Sequence, residues 1–151
     1  MTPGAAYQAG GKCTFDLWAP HRRSVELHIL SAEEKLVPMQ KDRKGFWHTE
    51  AKNIRPDTFY MYRLDGELER PDPASHFQPE GPHGPGSVID HAGFKWSDHK
   101  WAGVKLEDMI IYELHIGTFT PQGTFEAAIG HLDELAELGI TAVEIMPVSQ
   151  F

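Results

Sequence analysis

The sequence predicts a mainly β chain: an antiparallel β-sandwich followed by one strand–helix–strand (βαβ) unit. Three observations carry this. Short alternating or aromatic-rich runs are separated by turn signals at about eight- to twelve-residue spacing, as in sandwiches. A stretch dense in proline and glycine follows them. Residues 109–151 then switch to two apolar runs flanking a helical period.

In chain order, residues 1–12 are Gly/Ala-rich without a period and read as a loose lead-in. Residues 14–18 (TFDLW) form a short strand, and 19–23 turn around Pro20. Val25, Leu27 and Ile29 alternate with Glu26 and His28, the period of a half-buried strand. Residues 36–39 and 46–50 are further strands around the polar turn 41–45. Pro56-Asp57 opens a turn into residues 58–64 (TFYMYRL), dense in β-favouring side chains. Asp65-Gly66 suits a tight type I′ hairpin into 67–69. Between Pro71 and Gly86 lie five prolines and three glycines. That density excludes a central strand or a regular helix, so the segment reads as an ordered connection. Residues 88–90 are a last short strand.

The apolar run 109–116 is long enough for a buried strand, and a loop from Gly117 to Gly123 follows. Phe125, Ala128, Ile129, Leu132, Leu135 and Leu138 recur at helical steps, which predicts one helix over 124–138. Thr124 stands at the N-cap, Glu126 near the positive helix end, and Gly139 at the left-handed C′ position. Run 140–146 is a second buried strand, stopped by Pro147. A crossover helix between two buried strands implies parallel pairing. One βαβ unit leaves sheet edges and faces uncovered. The sequence therefore reads as the front part of a longer protein, with a C-terminal piece that frays or self-associates when alone.

Composition narrows the partners. There are 22 acidic against 14 basic residues, a net charge of −8, so no basic face is expected for a nucleic acid. Cys13 is the single cysteine; no internal disulfide forms, which fits a reducing cytoplasm. No apolar run reaches the roughly eighteen residues of a membrane span, and the start lacks a secretory pattern. Cytoplasmic location and no membrane partner are expected. The nine histidines show no metal-ligand spacing, so neither metal nor cofactor is expected.

Two stretches carry a resemblance. FDLWAPHRRSVELHIL (15–30) and GFWHTEAKNIRPDTFYMYRLDGE (45–67) resemble the isoamylase-type N-terminal domain, carbohydrate-binding module family 48. RPDPASHFQPEGPHGPGSVID (70–90) and IIYELHIGTFTPQGTFEAAIGHLDELAELGITAVEIMPVSQF (110–151) are similar to the malto-oligosyltrehalose trehalohydrolase family. That family belongs to the α-amylase superfamily, glycoside hydrolase family 13. The resemblance implies an immunoglobulin-like sandwich over 1–92, a linker over 93–108, and at 109–151 the incomplete start of a catalytic (β/α)8 (TIM) barrel. It implies hydrolysis of the α-1,4 bond beside a terminal trehalose unit, with maltooligosyl trehalose or another α-glucan as substrate. In the superfamily the catalytic carboxylates lie on later barrel strands, so no catalytic residue is expected here. Glycogen branching or debranching enzymes of the superfamily, and a non-catalytic glycan-binding module, are the alternatives.

Candidate contacts follow from position. Barrel active sites gather at the C-terminal strand ends, which singles out Gly117, Thr118 and Phe119, then Pro147, Val148, Gln150 and Phe151. Of these, Phe119, Gln150 and Phe151 are expected to touch substrate. Glu113 and Glu144 lie inside the strands and read as polar pairs. His115 reads as a hydrogen-bonded core residue of the first strand. Among the aromatics, Trp18 belongs to the Trp-Ala-Pro motif and is assigned to the core. Trp47 is taken as the more open ring and the candidate for stacking on a glycan. Tyr60 and Tyr62 share one strand face, half core and half interface.

Overall fold

The structure, a computed structural model, describes residues 2–31 and 33–148. The chain divides into two compact units, Met1–Lys95 and Trp96–Phe151.

The first unit is built from two antiparallel sheets. One contains β1 (Gly4–Gln8), β2 (Lys12–Trp18), β5 (Gln40–Lys41) and β6 (Phe46–Ala51), in the order β1-β2-β6-β5. The other contains β3 (Val25–Leu30), β4 (Lys35–Pro38), β7 (Phe59–Leu64) and β8 (Leu68–Arg70), in the order β4-β3-β7-β8, and β9 (Gly86–Ser87) also pairs with β7. Period-two alternation sends Cys13, Phe15 and Leu17 of β2 inward, where they meet Val25, Leu27, Tyr60 and Tyr62 of the other sheet in one core. Phe15 and Tyr60 touch edge to face, centroids 5.0 Å apart.

The Asp65-Gly66 turn forms as expected. Both residues have positive φ, 53° and 79°, and the Glu67 N–H donates to the Leu64 carbonyl at 3.2 Å. The register then pairs Leu64 with Leu68, so Glu67 is one extra residue on the returning side.

Three expectations for this unit need correction. Residues 1–12 are not a loose lead-in: β1 pairs with β2 from Gly4↔Asp16 to Gln8↔Lys12. The glycines around it hid the strand, and they serve its ends, with φ of +113° at Gly4 and +87° at Gly10. The last strand is Gly86–Ser87, not 88–90. Val88 nonetheless continues the contact, exchanging hydrogen bonds with Asp57 and Thr58, and its side chain is fully buried. The Pro-rich segment is pinned by Asp72, which is 2% exposed. Its carboxylate accepts from the Tyr60 and Tyr62 hydroxyls at 2.8 and 3.4 Å and from the Ala74 N–H at 2.8 Å. Tyr60 and Tyr62 are thus wholly core, not half interface.

In the second unit, β10 (Ile111–Leu114) and β11 (Ala142–Ile145) pair in parallel, Ile111 opposite Ala142 and Leu114 opposite Ile145. Between them run three short helices, α1 (Ile116–Phe119), α2 (Phe125–Ile129) and α3 (Leu132–Glu137). Leu114, Ile116, Ala128 and Leu135 form a small core. The Thr124 hydroxyl accepts from the Ala127 N–H at 3.2 Å, the expected N-cap. At the far end Gly139 has φ +97°. Its N–H reaches the Ala136 carbonyl, and that of Ile140 reaches Leu135, both at 3.0 Å. These are the paired bonds of a Schellman cap.

The expected single helix over 124–138 is broken. His131, with φ −106° and ψ 1°, departs from helical geometry after Gly130, where glycine weakens the helix interior. Ile116 opens a helical turn instead of ending the strand. The strands are also not buried on both faces: Ile111 is 53% and Ile145 46% exposed. Among the described residues no helix is long and apolar enough to cross a membrane.

Candidate functional site

In the second unit the parallel register brings both strands to a common C-terminal end, where the Met146 N–H donates to the Leu114 carbonyl at 2.9 Å. The chain leaves β10 through His115 and returns to the same end at the first turn of α2. Between these lies a depression of about 440 Å³. Gly117 and Gly123 form one wall, Thr124 and Glu126 the helix start, and Pro147 and Val148 the exit of β11. Gly123, with φ +65°, brings its backbone against Gly117: a Cβ there would sit 3.1 Å from the Gly117 carbonyl oxygen.

Of the positions expected at the strand ends, the structure brings together Gly117, Pro147 and Val148. Phe119 turns elsewhere. Its ring is half-buried and meets Tyr112 and His131 edge-on, centroids 6.2 and 5.8 Å apart. Gln150 and Phe151 lie outside the described residues. The sequence reading missed Thr124, Phe125 and Glu126, although a helix that starts beside the end of the preceding strand is the signal that finds them. Among the lining residues Glu126 is the one carboxylate. Glycosidic hydrolysis needs two carboxyl groups about 5–9.5 Å apart, which the described lining does not supply.

Several assignments are overturned. Glu113 and Glu144 face each other in the register, but both are exposed and neither makes a hydrogen bond or ion pair among the described residues. Like charges opposite each other do not pair. His115 is not core: the strand ends at Leu114, and His115 is exposed at the start of α1. The tryptophans exchange roles. Trp47 is 5% exposed, with its indole N–H donating to the Ala19 carbonyl at 3.0 Å and the Lys41 ammonium 5.3 Å from its ring centroid. A buried ring has no face for a glycan. Trp18, assigned to the core, is 58% exposed. Register explains both, since Trp47 sits opposite inward-facing Leu17 and Trp18 is the next, outward residue.

Electrostatically the first unit holds a buried cluster around Asp72. Burial pushes its carboxyl above the ordinary value, offset in part by the Ala74 amide and the two tyrosine hydroxyls. The hydroxyls of Tyr60 and Tyr62 are pushed up in turn, first by burial and then by the Asp72 charge. The cluster is closed and structural: it ties the Pro-rich segment to β7.

Comparison with known proteins decides the family of the first unit. Residues 3–75 match the family described as Carbohydrate-binding module 48 (Isoamylase N-terminal domain). Residues 3–75 belong to carbohydrate-binding module family 48. The family-48 match stops within the first unit, but likeness to curated proteins runs through both. The chain is 50% identical to the malto-oligosyltrehalose trehalohydrolase of Saccharolobus solfataricus over 91% of its own length and 24% of that protein's. It is 39% identical to the enzyme of that name from Deinococcus radiodurans, over 98% of this chain and 24% of the relative. The chain thus spans about a quarter of these relatives. Among solved structures, a candidate α-amylase from Salmonella typhimurium superposes with a TM-score of 0.89 at 39% identity, covering 99% of this chain and 25% of that one.

Proposed function

We propose that these residues, family-48 domain included, are the N-terminal part of a malto-oligosyltrehalose trehalohydrolase. The whole enzyme hydrolyses the α-1,4-glucosidic bond beside the terminal trehalose of a maltooligosyl trehalose, releasing trehalose in the cytoplasm. The observation that carries this reading is the 50% identity extending over 91% of the chain, well past the matched residues 3–75. A branching enzyme of Albidiferax ferrireducens is 28% identical, which favours the hydrolase over the transferase.

In this reading residues 1–92 are an immunoglobulin-like sandwich, 93–108 a linker, and 109–151 the first βαβ of a (β/α)8 barrel. The parallel pair and the depression at its C-terminal end support that, since barrel active sites gather there. Gly117, Pro147 and Val148, with Gln150 and Phe151, contribute to the floor of the substrate cleft; Phe119 supports that floor from behind. The two catalytic carboxylates come from outside this stretch, and the 151 residues alone release no trehalose. Handled alone, they self-associate through the strand edges of the second unit.

The test is an assay of the full-length protein on maltotriosyltrehalose and on amylose. Release of trehalose and maltotriose is expected. New α-1,6 branches in amylose without trehalose release would replace this reading with the branching enzyme.

A further inference from the structure

We infer that His28 is a proton-controlled latch: the protonated ring holds the bend before β4 against the outer face of its sheet and releases it on losing a proton.

β3 turns Leu27 and Ile29 into the core, so His28 between them faces outward. It is nonetheless 6% exposed, because carboxylates close over it from two sides. Its Nδ1 lies 3.2 and 3.1 Å from the two Glu69 carboxylate oxygens. Its Nε2 lies 2.6 Å from a Glu34 oxygen. An ionised carboxylate only accepts. A neutral imidazole has one N–H, and its other nitrogen carries a lone pair, whereas the cation donates from both. Only the protonated ring therefore makes both contacts at once. The short Glu34 contact fits a charge-assisted bond.

The charges around the ring are unequal. Glu34 stands before β4, Arg63 on β7, Glu69 on β8, and Glu26 two residues back on the same face of β3; Lys35 of β4 pairs with Ile29, on the other face. The protonated ring is the second cation among these carboxylates. Glu69 has another partner, with the Arg63 Nε donating at 2.7 Å. Burial works to raise the Glu69 carboxyl, but the Arg63 and His28 bonds outweigh it and hold the group below its ordinary value. Glu34 is 69% exposed, and His28 is its one partner among the described residues. When the Nε2 proton leaves for solvent, Nδ1–H stays with Glu69 and a bare lone pair faces Glu34. Glu34 is the group released.

Two features hang on this bond. Glu34 directly precedes β4, the edge strand of its sheet, whose first pairs are Lys35 with Ile29 and Leu36 with His28 itself. On its other side Glu33, with Ser31, lines a depression of about 530 Å³ whose far wall is residues 53–59. Release frees the start of β4 and the near wall of that depression.

The test is a pH titration of the 151-residue chain, following by NMR the His28 ring nitrogens and the backbone amides of Glu34, Lys35 and Leu36. Both ring nitrogens should carry protons at the acid end. As pH rises, Nε2 should lose its proton while Nδ1 keeps one, and the three amides should shift with the same midpoint. In Glu34→Gln, a change at an exposed side chain, the ring should still titrate but the linked amide shifts should be lost. Amides that stay still while His28 titrates overturn the latch. So does a proton kept on Nε2 instead of Nδ1, or an undiminished amide response in Glu34→Gln.

Discussion

The two units use the same apolar residues to different effect. In the first, Phe15, Val25 and Leu27 are at most 2% exposed because a second sheet lies over each. In the second, Ile110, Ile111 and Ile145 are 46–56% exposed although their runs are as apolar. An apolar run states that a face wants cover. Whether it receives cover depends on residues far away in sequence, and the energy follows the cover.

The sharpest way to break this comparison is a pair of truncations. Phe15→Ala should cost about 3–5 kcal/mol, read as a lower urea midpoint of the first unit. Ile145→Ala should stay within about 0.5 kcal/mol, as for an exposed position. Equal losses would show that the strands of the second unit are covered after all. Hydrogen exchange sharpens the same contrast: amides of Ile111–Leu114 should exchange on the order of a hundredfold faster than those of Val25–Leu30 in a verified monomer. Matching rates would make the second unit as stable as the sandwich.

Asp72 tests what a buried polar group contributes. Asp72→Ala leaves two tyrosine hydroxyls without their acceptor and should cost about 1–3 kcal/mol; Asp72→Asn, which keeps a carbonyl oxygen, should cost less. The pH dependence has a definite sign. The folded carboxyl titrates above its ordinary value of 3.8. As pH rises past 3.8 the unfolded chain loses this proton first, and the folded state then binds more protons. Stability from this group therefore falls with rising pH until the folded carboxyl has also ionised. Asp65 and Glu69 are shifted the other way, so the readout is the difference in urea midpoint between the parent chain and Asp72→Asn. A margin of the parent over Asp72→Asn that shrinks as pH falls towards 3.8 would contradict the sign. The cap is a smaller test: Thr124→Ala should cost about 1 kcal/mol, seen as lost helicity in the second unit with the sandwich transition unchanged.

Local chemistry was the legible part of this sequence. Asp65-Gly66, Thr124 and Gly139 were readable because each turn or cap is decided by a few adjacent residues. The parallel pairing followed from the order of runs. The tryptophans were misplaced for a different reason. Alternation through Cys13, Phe15 and Leu17 already points Trp18 outward, and that period should have outweighed the motif it sits in. Trp47 required the register with Leu17, which one strand alone does not contain. The depression in the second unit was half readable: strand ends were anticipated, but the start of α2 beside them depends on how Gly117 and Gly123 meet.

Cys13 gives the first unit a built-in clock. Its thiol is wholly shielded on β2, and burial pushes it up to about 12. The thiolate, which is the reactive form, is therefore scarce as well as unreachable while the sheets stay together. An alkylating reagent can mark this chain only during moments when β1 and β2 part from the opposite sheet. The rate of that marking counts those openings directly, with no dye, tag or added residue.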